Sequence, residues 1–255
     1  MKLLFIGDIS SKPGIEHVAD NISSIKKEHK IDIVIANGEN IADGMGIYKQ
    51  GIETLFKYVD VITTGNHCFD KLDSLPLYDE CEYLLRPVNF PKGAAGKGFC
   101  EVDFGAFKIA VINIMGTVFM KPLDNLYESV DKILPQLTTR NIFVDIHAEA
   151  TGEKKALAYY LAGKVTAVIG THTHIQTNDE TIMNGTGYIT DVGMTGVIDS
   201  ILGVEPIDII NSTRYHTPVK FRPAQGKTEL DAVIIEFDKK TGICTSINKL
   251  KHFVK

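Results

Sequence analysis

Six short apolar runs, at residues 3–6, 31–36, 59–63, 109–112, 142–146 and 165–169, are rich in β-branched side chains. Runs of this length and composition predict strands buried on both faces. Between several of them lie segments with apolar residues at helical spacing, at 15–28, 51–58, 126–137 and 153–161. Strand and helix in alternation predict an α/β fold, and later parts of the chain add to it. Residues 99–107 and 229–248 carry strand-like segments joined by turn residues such as Lys240-Thr241-Gly242, which predict antiparallel strands in a second sheet packed on the first. The expected architecture is a layered α/β sandwich of two mixed β-sheets flanked by helices, in one domain spanning residues 1–255. Residues 184–203, rich in Gly and Thr, predict loop.

Polar clusters punctuate this pattern at the strand ends. GDIS at 7–10, NGEN at 37–40, GNHCFD at 65–70, DIHAEA at 145–150 and GTHTH at 170–174 each begin at or near the end of an apolar run. In an open α/β sheet the carboxyl ends of parallel strands share one edge, where ligands bind. Five segments are therefore expected to converge on one site.

Composition narrows the chemistry only by exclusion. The net charge of −5 and pI near 5.9 argue against binding duplex nucleic acid, which calls for a basic surface. Four cysteines without C-x-x-C spacing suggest neither a zinc knuckle nor a disulfide framework. The apolar start MKLLFI stops at Gly7-Asp8, as a buried strand does and a signal peptide does not. With no apolar stretch of roughly 18 residues anywhere, no membrane association is expected and the cytoplasm is the expected location. Assembly into a homo-oligomer stays open.

Of the eight histidines, His67, His147, His172 and His174 all fall at strand ends. A single histidine is more often a hydrogen-bonded core or surface residue than a ligand, but four on one rim favour ligation. Two residues apart on an extended segment, His172 and His174 would point to one side. Asp8 and Glu39 follow buried strands, where an uncompensated charge is costly and a cation would compensate it. The plainer roles are a helix cap for Asp8 and a salt bridge for Glu39. Carboxylate, imidazole and amide oxygen together suit Fe, Mn or Zn, and a two-metal centre suits phosphoester hydrolysis. His67 directly follows Asn66 and so should face the other way, toward substrate. Asp70 is placed to orient it as a general acid, or else to cap the turn that follows. GDISSKPG lacks the endings of a P-loop or dinucleotide fingerprint, and no G-x-S-x-G elbow is present.

These residues resemble the calcineurin-like metallophosphoesterases and, within them, the bacterial YmdB-like 2′,3′-cyclic-nucleotide 2′-phosphodiesterases. The resemblance rests on FIGDI at 5–9, NGEN at 37–40, GNH at 65–67 with Asp70, LRPVNFP at 85–91, DIHAEAT at 145–151, GTHTHIQT at 170–177 and ITDVGMTG at 189–196. It implies one metal held by Asp8, Glu39, Asn40 and His174. A second would be held by Glu39, Asn66, His147 and His172, with Glu39 bridging. It also implies His67 as the general acid in direct attack by metal hydroxide, iron as the metal with manganese accepted by related sites, and a small cyclic nucleotide as substrate. Where the wider superfamily has D-x-H, this chain has Asp8-Ile9-Ser10, and Asn40 replaces the missing ligand. Gly152 stands where the branch commonly has serine. Two rival expectations remain: phosphodiesterase or phosphatase action on RNA ends or other phosphoesters, and a non-catalytic, metal-stabilised regulatory protein. Arg86, Thr177, Asn178 and Thr195 lie in matching loops, where substrate contact competes with structural roles.

Overall fold

Alternate residues of the first strand, β1 (Lys2–Ile6), serve two different cores. Leu3 and Phe5 pack with Ile109, Val111 and Phe143, whereas Leu4 and Ile6 pack with Val18 and Ile22 of the first helix. A strand with both faces buried needs apolar residues at every position, which is why the run shows no alternation.

The computed structural model describes residues 1–253. After β1 come β2 (Asp8–Ile9), α1 (Ser11–His29), β3 (Ile33–Asn37), α2 (Lys49–Leu55), β4 (Val61–Thr63) and α3 (Leu75–Glu80). The middle of the chain forms β5 (Phe99–Asp103), β6 (Lys108–Met115), α4 (Leu126–Ile133), β7 (Ile142–His147), α5 (Thr151–Leu161) and β8 (Ala167–Thr171). The last part forms β9 (Thr181–Met183), β10 (Thr186–Ile189), β11 (Met194–Val197), α6 (Pro206–Tyr215), β12 (Thr228–Phe237) and β13 (Cys244–Phe253).

Two mixed sheets result. One runs β2-β11-β12-β1-β3-β4, with β13 also paired to β12, and β1, β3 and β4 in it are parallel. The other runs β5-β6-β7-β8-β10-β9, with β6, β7, β8 and β10 parallel. The sheets face each other across one apolar layer, α1 and α2 cover the first, and α4 and α5 cover the second. Helix α1 shows why: Ile15, Val18, Ile22 and Ile25 recur at helical spacing on its buried face, and the chain ends it at Lys30 in the left-handed conformation. No helix among the described residues is long and apolar enough to cross a membrane.

Three expectations need correction. The antiparallel strands at 99–107 and 229–248 do not form a sheet of their own: β5 edges the second sheet, while β12 and β13 form a hairpin within the first. The segment at 126–137 is not one helix, because Pro135 removes an N–H and the chain continues as a 3-10 turn at Leu134–Gln136. Residues 184–203 are not loop throughout, since β10 and β11 lie there fully buried. Their glycines have weak local preference for strand, and pairing with β8, β12 and β2 overrides it.

Candidate active site

The parallel strands of both sheets end on the same rim. Asp8 opens β2 just past the end of β1, Glu39 and Asn40 follow β3, Asn66 and His67 follow β4, β7 ends in His147, and β8 leads into His172 and His174.

His147 is the centre. Its Nε2 lies 2.8 Å from Glu39 Oε1, 2.9 Å from Asn66 Oδ1 and 3.0 Å from Nδ1 of His172. One ring N–H can satisfy one of those acceptors. Ligands at right angles around a cation, each about 2.1 Å from it, lie about 3 Å apart, so these spacings fit a shared cation. Glu39, His147 and His172 form a three-residue group able to hold a metal ion. A Cβ at Gly65 would fall on the His147 ring, so glycine there lets the imidazole pack against backbone.

The other face of His147 explains its orientation. Nδ1 lies 2.9 Å from Thr171 Oγ1, and that hydroxyl donates to Asp145 Oδ1 at 2.7 Å. With its only proton committed there, the hydroxyl accepts from Nδ1, which leaves Nε2 to face the other ligands. Asp145 also accepts from the Thr63 hydroxyl and from the Asn37 amide. Asn37, Thr63, Asp145 and Thr171 were not among the sequence-based candidates. A carboxylate inside the apolar run 142–146 was the available signal, because burial demands partners for it.

A second group adjoins the first. His174 Nε2 lies 3.1 Å from the Asn40 amide nitrogen and 3.8 Å from Asp8 Oδ1, and the same amide nitrogen is 3.4 Å from that oxygen. A half-turn of the amide would present its oxygen instead, as Asn66 already does. Asp8 caps no helix: it is wholly buried, and its Oδ2 accepts the His172 N–H at 3.1 Å.

His172 and His174 do not sit on an extended segment. Their φ angles are 106° and 63°, in the left-handed region, at a cost of about 1 to 3 kcal/mol each. Thr173 between them donates its N–H and hydroxyl to Asp191 Oδ2, at 2.9 and 2.8 Å. Lys154 of α5, fully buried, reaches the same oxygen at 2.8 Å. These bonds to one carboxylate hold the strained turn, and removing one partner of a buried pair of this kind costs about 3 to 5 kcal/mol.

Burial pushes Asp8 up to about 8, with Asp191 and Glu39 adding to the effect of burial and His147 opposing it. Burial also works against charge on Glu39 and His147, but their attraction wins, lowering the first and raising the second. Burial and the neighbouring His147 bring His172 down to about 3, and burial brings His174 down to about 4. Both are then neutral at pH 7, the form that ligates metal. Oxygen and imidazole donors without thiolate fit a hard-to-borderline cation.

His67 lies in a turn, so alternation along a strand does not set its direction. Its N–H donates to Glu39 Oε2 at 3.0 Å, and its Nδ1 lies 2.6 Å from Asp70 Oδ2. The next helical turn, Leu72–Ser74, is preceded by Lys71 and has no side-chain cap, so Asp70 does not cap it. Arg86 donates instead to the carbonyls of Pro87 and Ala95, Thr177 pairs with Asp179 and Asp191, Asn178 pairs with Lys249, and Thr195 is buried in β11. None of these four lines the cavity at the rim.

Stacked mixed sheets with a metal-binding group at their shared carboxyl edge define a metal-dependent phosphoesterase of the calcineurin superfamily. The chain belongs to the YmdB-like protein family, whose model matches residues 4–250. It is 42% identical over 254 residues to the 2′,3′-cyclic-nucleotide 2′-phosphodiesterase of Bacillus subtilis, covering 98% of this chain and 96% of that one. Among solved structures, a hypothetical protein from Thermus thermophilus superposes with a TM-score of 0.94 at 39% identity, covering 99% of each chain. A novel phosphatase from Mycoplasma pneumoniae gives 0.93 at 30% identity, covering 99% of this chain and 93% of that one.

Proposed function

We propose that residues 1–255 act as one domain that hydrolyses 2′,3′-cyclic nucleotides to 3′-monophosphates at a two-metal centre. The observation that carries this reading is the His67–Asp70 pair, 2.6 Å apart, on the rim of the same cavity that Glu39, His172 and His174 line. Glu39, Asn66, His147 and His172 would hold one cation, and Asp8, Asn40 and His174 the other, with Glu39 shared. Iron is the proposed metal, and the donors also suit Mn or Zn. Bound there, two cations supply charge neutralisation for the phosphate and acidify water near neutral pH.

The chain's own groups do the rest. Asp70 ties Nδ1 of His67, so Nε2 is the nitrogen left to face substrate and to give a proton to the leaving 2′-oxygen. The bond that the His67 backbone N–H donates to Glu39 Oε2 fixes the acid relative to the proposed metal ligands. The Bacillus subtilis relative, named for the same reaction, supports the substrate assignment. The test is elemental analysis of freshly purified protein paired with product identification on a 2′,3′-cyclic nucleotide. Metal-dependent release of the 3′-monophosphate is expected. Release of the 2′-monophosphate, or no turnover by metal-replete protein, would sink the proposal.

A further inference from the structure

The cavity beside His67 is far larger than a phosphate needs. It holds about 430 Å³, and its polar lining is Glu39, Asn40, His67, Glu149, His172, Thr173 and His174. Six apolar residues, Met45, Ile201, Leu202, Val204, Ile209 and Phe221, form an apolar wall of the same cavity. The metal site makes no use of these six.

This wall is a fixed structure. Arg222 gives Asp208 three hydrogen bonds, from Nη2 to Oδ1 at 2.7 Å and from Nε and the backbone N–H to Oδ2 at 2.9 and 3.0 Å. Asp208 immediately precedes Ile209 on α6, and Arg222 immediately follows Phe221. The fork therefore ties the backbone that carries Ile209 to the backbone that carries Phe221. Backbone bonds from Glu205 to Arg222 and from Ala224 to Gly203, each 2.9 Å, close the same loop. Leu202 and Gly203 are both left-handed, at φ 54° and 88°, and a Cβ on Gly203 would fall on the Ser10 hydroxyl. Glycine there lets the loop seat directly on Ser10, which bridges to Asn40. The wall is thereby anchored to the backbone of the ligand cluster.

We infer that this apolar wall is the binding site for the nucleobase of the substrate, with the ring of Phe221 and the side chain of Leu202 as its principal contacts. The inference rests on the proposed reaction, and deepens it. In a 2′,3′-cyclic phosphate both ester oxygens belong to one ribose. An acid at His67 places the leaving 2′-oxygen, and so the whole nucleoside, on the His67 side of the metals. That side is this cavity. An apolar wall with a single aromatic ring recognises the face of a base, which every base possesses, and so admits purines and pyrimidines alike.

Calorimetry on the metal-loaded protein tests this without turnover, with the 3′-monophosphate of adenosine and inorganic phosphate as probes. The nucleotide should bind more tightly than phosphate. Phe221→Ala should weaken nucleotide binding by about 10-fold while leaving phosphate binding unchanged. Leu202→Asn, which suits a left-handed position, should produce a smaller loss of the same kind. Equal binding of the two probes by the unaltered protein would overturn the inference, as would variants that keep the full preference for nucleotide. Loss of phosphate binding in both variants would also overturn it, because the wall would then be part of the metal scaffold. A protein that shows the expected preference but does not turn over 2′,3′-cyclic nucleotides keeps its base site and loses the proposed reaction, so the two failures are distinguishable.

Discussion

Two histidine pairs in this protein look alike and differ in chemistry. His147 and His172 bring ring nitrogens to 3.0 Å with the rings at 74°; His17 and His252 bring theirs to 3.1 Å at 88°. What separates them is the company they keep. Around His147 stand Glu39 and the Asn66 oxygen, giving more lone pairs than one proton can serve. Among the described residues, the ring nitrogens of His17 meet the His252 ring and the Thr228 hydroxyl, 2.7 Å away, so each has one hydrogen-bond partner. Close imidazoles alone do not make a metal site; a surplus of acceptors does.

The sharpest way to break this comparison is to remove one ring from each pair. His147→Ala should abolish stoichiometric metal binding and lower turnover by about 10³-fold or more, read by elemental analysis and steady-state kinetics. His17→Ala should leave metal content as it was. Metal loss in both variants would mean that the two pairs are not different in kind.

The next largest effect separates ligand from acid. His67→Ala should lower kcat by about 10² to 10⁴-fold with metal content unchanged. Parallel loss of metal and activity would make His67 a ligand. Behind the site, Thr171→Val removes the acceptor for Nδ1 of His147 and should weaken metal binding by about 10 to 100-fold, measured by competition with a chelator. No change would mean that packing alone orients the ring.

The smallest effect is on the other pair and concerns stability. Burial, with His252 adding and Asp20 opposing, lowers His17 to about 4 from an ordinary 6.5. Between those values the unfolded chain binds a proton that the folded one does not. Stability is therefore full above pH 6.5 and falls as the pH drops toward 4, by up to about 3 kcal/mol. Denaturant midpoints at pH 7 and pH 4.5 should converge between the unaltered protein and His17→Asn on acidification. Curves that stay parallel would remove His17 as the cause.

Much of this molecule was legible in its pattern of residues. Short uninterrupted β-branched runs mark strands buried on both faces, because they are too short for a buried helix and leave no polar face for water. Acids, amides and histidines at the ends of those runs marked a rim on which they meet. Tertiary structure decided the rest. β10 and β11 are strands because partners cover them, while their glycines have little preference for strand of their own. His172 and His174 converge through left-handed backbone held by Asp191 and Lys154, residues far from them in sequence. Thr171 and Asp145 orient His147 only because β7 and β8 pair in register. The apolar wall joins 203–205 to 222–224 through backbone bonds, and α6 to Arg222 through an Arg222–Asp208 fork that no local spacing announces. Local pattern encodes which groups need burial or a partner; which partner each one meets depends on how the sheets close.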